Sequence, residues 1–111
     1  MALIKSINNK TPVISENTFC AENSTIIGDV KIDESCSVWY NAVIRGDVGS
    51  IQLGKAVNVQ DGVVIHATFN KSKTIMGNYV TIGHNAVIHG CQIKENCLIG
   101  MGSIILDNSI I

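Results

Sequence analysis

The chain is short of aromatic rings, of charge and of proline. Of its 111 residues, 5% are aromatic and 15% charged, and one is proline. So few rings exclude an interior built on aromatic packing and leave Ile, Val and Ala to fill it. The net charge is −1 and no Lys/Arg cluster occurs, so neither nucleic acid nor an anionic membrane surface has an electrostatic handle. No segment is apolar for long enough to span a bilayer, and Met1 to Lys10 lacks the apolar run of a signal peptide. A chain of this length makes one domain at most, with a limited core of its own.

What the sequence has in abundance is aliphatic residues at a fixed interval. Ile14, Cys20, Ile26, Ile32, Val38 and Ile44 are six apart, and shorter runs follow: Leu53, Val59, Ile65; Met76, Ile82, Ile88; and Ile93, Ile99, Ile105, Ile111. Such a short repeat is the mark of a parallel β-helix, and the helical period of 3.6 fits no comparable stretch. Four residues after each ladder residue comes a second inward position, mostly small, with Phe69 and Gln92 as large exceptions and Val48 among the rest. Cys20 falls on the ladder, and Cys36 and Cys97 on the small positions. The cysteines, Cys91 included, therefore read as buried small hydrophobes of a reducing compartment, which points to a cytoplasmic setting rather than a disulfide framework.

Three hexads make one coil, giving an all-β fold of about five coils over residues 13–111, after a lead-in over residues 1–12. The steps from Ile44 to Leu53, Ile65 to Met76 and Ile88 to Ile93 break the period. All three breaks follow the third face, so irregular segments are expected along one edge of the prism. The repeat alone does not set the hand of the coil, since parallel crossovers are normally right-handed.

This register places the histidines. His66 follows Ile65 and His89 follows Ile88, in the same slot of the third face one coil apart, with Arg45 one coil earlier. Rungs are about 4.8 Å apart, so the two imidazoles can tilt toward one metal, Zn–N bonds being roughly 2.0–2.1 Å. His84 belongs to the second face, above Asp61 of the preceding coil, and lies around the prism from the pair. A threefold assembly would let His84 of one subunit meet His66 and His89 of the next. The plain alternative is that Gly83-His84 and His89-Gly90 are corner residues only. Cys91 is a weaker ligand candidate. Asn58, Gln60 and Asp61 lie one hexad before His66 and offer hydrogen bonds to a small oxygenated ligand or a bound water. Arg45 with Asp47 or Asp61 reads equally as an interface salt bridge, and Asp47 as a structural corner residue. Trp39 and Tyr40 read as packing.

Three stretches resemble the γ-class carbonic anhydrase-like family: Val38 to Asp47, Asn58 through His66, and Ile82 to Cys91. The resemblance implies a left-handed parallel β-helix, a homotrimer, and a zinc ion at each subunit interface, with iron or cobalt as substitutes. It implies His66, His84 and His89 as metal ligands, Gln60 as the residue that orients the metal-bound hydroxide with Asn58 as its neighbour in the site, and Arg45, Asp47 and Asp61 as interface residues. The implied reaction is reversible hydration of CO2 to bicarbonate by a metal-bound hydroxide. Two departures stand out. Val48 follows Asp47 where well-characterised members carry an acid, and Ala67 to Lys73 contains no acid that could shuttle protons. The chain also ends at Ile111, where similar proteins continue into more coil and a C-terminal helix. Competing expectations are a hexapeptide-repeat acyltransferase and a non-catalytic trimeric scaffold that keeps the metal.

Overall fold

A computed structural model describes residues 2–111, which form fourteen short parallel strands and, among the described residues, no helix. The strands fall on three faces. The first carries Val13–Ile14, the end of Thr25–Ile32, the end of Val43–Leu53, then Thr74–Met76 and Gln92–Ile93. The second carries Phe19–Cys20, Ser37–Val38, Asn58–Val59, Thr81–Ile82 and Leu98–Ile99. The third carries Leu3–Lys5, the starts of Thr25–Ile32 and Val43–Leu53, then Val64–His66, Val87–His89 and Ile104–Ile105. The fold is therefore an all-β parallel β-helix of hexapeptide repeats with about five coils. Leu3–Lys5 adds a further rung beneath the third face, Ile4 pairing with Ile26.

Ladder residues meet their counterparts one coil away on every face: Ile14 with Ile32, Val38 with Val59, Ile44 with Ile65, and Ile65 with Ile88. Stacked this way, Ile26, Ile44, Ile65, Ile82 and Ile88 are fully buried, and each such side chain stabilises the coil by about 1.5–3 kcal/mol. Corners after the second face need backbone in the left-handed region, and Asn41, Gly62, Asn85 and Gly102 supply it at φ 63°, 75°, 60° and 74°. Glycine and asparagine adopt this conformation most cheaply.

The corner between the third and first faces departs from the expected pattern. Val48, Phe69 and Gln92 point outward, Val48 and Phe69 being 38% and 64% exposed. The inward positions there belong instead to Ile51, Thr74 and Cys91, at 1%, 0% and 1% exposure. Each lies two residues before the next ladder residue, as Val30 does before Ile32. Strand pairing on the following face sets the inward position, as in Val30 opposite Ile51 and Ile51 opposite Thr74. Counting forward across an irregular step lands on the inserted residues instead. Cys91 consequently faces the core and not the histidine stripe, which removes it as a ligand. Of the other free thiols, Cys36 is buried and Cys20 and Cys97 are half-buried. The nine-residue step is not a loop. Val43–Leu53 runs through the corner as one strand, with a shift in register against Gly28 and Val30.

Candidate metal centre

His66 and His89 are register partners on adjacent rungs of the third face, each immediately after a buried isoleucine. Alternation turns them outward at the corner, where they are 16% and 29% exposed. Their rings meet edge to face, with centroids 5.1 Å apart. Beneath them, the fully buried Thr74 donates from its hydroxyl to the His66 carbonyl at 2.8 Å and accepts from the Gly90 N–H at 2.9 Å. Gly90 N–H also reaches the His66 carbonyl. The backbones carrying the two imidazoles are thus tied to a common buried group.

The outer ring nitrogens are held by carboxylates. His66 Nε2 lies 2.9 Å from Asp47 Oδ1, and His89 Nδ1 lies 2.8 Å from Asp107 Oδ1. A carboxylate only accepts, so these nitrogens carry the protons. His66 Nδ1 and His89 Nε2 are left facing each other at 3.2 Å. In two neutral imidazoles those inner nitrogens both present lone pairs, which repel unless a proton or a metal ion lies between them. Nitrogens bound to one tetrahedral zinc lie about 3.3 Å apart, so the spacing fits the ion. Carboxylates on the outer nitrogens are the usual support of metal-bound histidine.

Both carboxylates stay ionised below the usual carboxylate range. Burial works to raise the Asp47 carboxyl, but hydrogen bonds from His66 and from Arg45, whose guanidinium sits 2.6 Å away, outweigh it. For Asp107 the Thr68 hydroxyl is the largest cause, followed by His89. Asp107 went unnoticed in the sequence because it lies outside the ladder and outside the recognisable motifs. Its signal was positional: two residues after Ile105, it occupies the same corner as the irregular steps below it.

His84 stands apart. On the second face its Nδ1 lies 3.2 Å from Asp61 Oδ1, and both side chains are 46% exposed. Asn58 lies on the same face, its Oδ1 accepting from Trp39 Nε1 at 2.9 Å and Ser37 Oγ at 3.1 Å. Gln60 follows two residues later. The candidate residues therefore form two groups: Arg45, Asp47, His66 and His89 at the third-face corner, and Asn58, Gln60, Asp61 and His84 on the second face. Among the described residues no hydrogen bond or ion pair joins the groups, and no three His, Cys, Asp or Glu gather in a metal-binding arrangement. The chain supplies two converging nitrogens at one corner and a third imidazole elsewhere. Also among the described residues, no helix is long and apolar enough to cross a membrane.

A coil of this kind, with a polar histidine corner, defines a hexapeptide-repeat protein. Residues 73–107 match the family described as Bacterial transferase hexapeptide (six repeats). The crystal structure of a hexapeptide transferase family protein from Anaplasma phagocytophilum is 30% identical, covering 97% of this chain and 74% of that one, with a TM-score of 0.85. A candidate acetyltransferase of Bacillus cereus is 45% identical, covering 96% of this chain and 61% of that one, with a TM-score of 0.93. Gamma carbonic anhydrase 2, mitochondrial, of Arabidopsis thaliana is 38% identical over 97% of this chain and 41% of its own length. The chain belongs to the hexapeptide transferase family, and it is 38–52% identical to curated carbonic anhydrases, γ-class members among them. It spans 41–58% of the length of such curated relatives.

Proposed function

We propose that this chain forms a homotrimer whose subunit interfaces each hold a zinc ion and catalyse the reversible hydration of CO2 to bicarbonate. The observation that carries this reading is the pair of inner nitrogens 3.2 Å apart, with Asp47 and Asp107 occupying both outer nitrogens. His66 and His89 of one subunit would hold the ion together with His84 of its neighbour, leaving a position open for water. A zinc so held supplies Lewis acidity that activates water for attack on CO2; iron or cobalt would serve the same role. Gln60 and Asn58, on the face that carries His84, orient the attacking water and CO2 by hydrogen bonds. Arg45, Asp47 and Asp61 join the subunits, with Asp47 also fixing His66. The free, partly or fully buried thiols suit a reducing compartment such as the cytoplasm.

With no acid between Ala67 and Lys73, proton export falls to external buffer. Metal analysis by mass spectrometry is expected to find about one zinc per chain. Stopped-flow CO2 hydration is expected to accelerate with buffer concentration. Protein purified without chelator and free of metal would overturn the metal centre. A metal-loaded trimer with no rate above background in any buffer would instead be a scaffold.

The likeness to the Bacillus cereus candidate acetyltransferase supports a second reading, acyl transfer from acyl-CoA with one histidine as general base. Turnover of acetyl-CoA by metal-free protein would favour it.

A further inference from the structure

We infer that Asp107 is a positioning residue for His89, holding its imidazole in the tautomer whose Nε2 faces His66. The inference rests on the metal reading only for what that nitrogen then binds. Asp107 Oδ1 lies 2.8 Å from His89 Nδ1 and 3.1 Å from Ser72 Oγ, while Oδ2 accepts from the Thr68 hydroxyl. Ser72 Oγ in turn accepts from the Thr68 N–H at 2.9 Å. The carboxylate is therefore clamped by the Thr68 and Ser72 hydroxyls, two of the three in the segment between Ile65 and Met76, and these bonds hold it independently of the histidine it orients.

The backbone also makes room for this cluster. Gly90 has φ +63°, and a Cβ there would collide with Ser72 Oγ and Asp107 Oδ1. The clamp needs a residue without a side chain directly after His89. Three segments far apart in sequence thus meet in one cluster, which places a single carboxylate on the ring nitrogen. The hydrogen bond at one imidazole nitrogen decides which nitrogen keeps its lone pair. Among the described residues Asp107 is the acceptor facing His89 Nδ1, and in its absence a proton on Nε2 would block the nitrogen that faces His66. Asp47 plays the matching part for His66 from the coil below.

The test compares parent protein with Asp107→Ala, labelled with 15N-histidine, metal-free at about pH 8, above the ordinary range of a free imidazole. Long-range 1H–15N correlation reads each tautomer. The parent is expected to show His89 protonated at Nδ1, and D107A to show it protonated at Nε2, with the His66 signals of the Asp47 pair retained as the control for folding. Zinc affinity, read by competition with a chromophoric chelator, is expected to fall by about 10–100-fold. Thr68→Val with Ser72→Ala, which keeps the carboxylate and removes its clamp, is expected to give a mixed tautomer population and a smaller loss. An unchanged His89 tautomer in D107A overturns the inference, even if zinc binds. A tautomer switch in a protein that binds no zinc upholds the inference and sinks the metal reading alone.

Discussion

Two histidine–aspartate stacks sit on this prism, built from the same residue types, and the chain treats them differently. His84 and Asp61 occupy a regular second-face corner, both 46% exposed, with their side chains 3.2 Å apart. His66 and His89 sit where the period breaks, at 16% and 29% exposure, with a carboxylate on each outer nitrogen and a buried threonine joining their backbones. A regular hexad supplies one of the braces, Asp107, and the irregular steps below it supply the rest. The nine-residue step supplies Asp47 and the eleven-residue step supplies Thr68 and Ser72. Irregular steps thus help brace one stack, the half that would hold the ion in the proposed centre, while the regular coil presents His84 half-exposed beside Asp61.

Replacing His66 or His89 by Ala removes a nitrogen of the prepared half. Zinc affinity should then fall by more than the roughly 10–100-fold expected for an outer-shell partner, measured by chelator competition. Retained stoichiometric zinc would place the site elsewhere. Ile88→Ala, a fully buried ladder residue beside His89, should cost about 2–5 kcal/mol in urea unfolding. Leu98→Ala on the second face, where Leu98 is 76% exposed, should stay within about 0.5 kcal/mol. Equal losses would mean that the ladder does not dominate the core. Thr74→Val keeps the shape but removes the hydroxyl under the pair, and about 1 kcal/mol should be lost, with both imidazole signals disturbed and His84 unmoved.

The smallest effect concerns pH. Burial raises the Cys20, Cys36 and Cys91 thiols above their ordinary values. The folded state therefore favours the neutral thiol. Its contribution is complete below the ordinary thiol pKa of about 8.5 and declines as pH rises through the higher folded values. Native alkylation should accordingly reach Cys36 and Cys91 slowly at about pH 8.5, and unfolding midpoints should drop only above it. Rapid labelling of either thiol would contradict the burial assigned to it.

How much of this was legible in the sequence follows the same division. The six-residue interval gave the ladder pairings from Ile14 onward, because pairing between coils acts on one residue type at one spacing, but not the rung that Ile4 makes with Ile26. It also gave His89 stacked on His66 and His84 above Asp61. It failed at the broken steps, where Val48, Phe69 and Gln92 stood in for Ile51, Thr74 and Cys91. Inward positions are fixed by the strand that follows an insertion, and a forward count cannot see that strand. Asp107 escaped for a related reason. Its partners, Thr68, Ser72 and His89, are 39, 35 and 18 residues away, and only stacking of the coils brings them together. The side chains that fix each imidazole's tautomer are a property of that stacking and not of local spacing.

The central claim is that the centre is divided between subunits, with the prepared half on one chain and His84 on the next. Mixing two disabled chains tests it directly. His84→Ala keeps the pair, the His66→Ala/His89→Ala double variant keeps His84, and each alone should bind little zinc. Refolded together in equal amounts, they should regain zinc at about a quarter of the interfaces, as expected for random assortment in a cyclic trimer. A mixture that stays as metal-poor as its separate components, or a His84→Ala protein that binds zinc like the parent, would contradict the account.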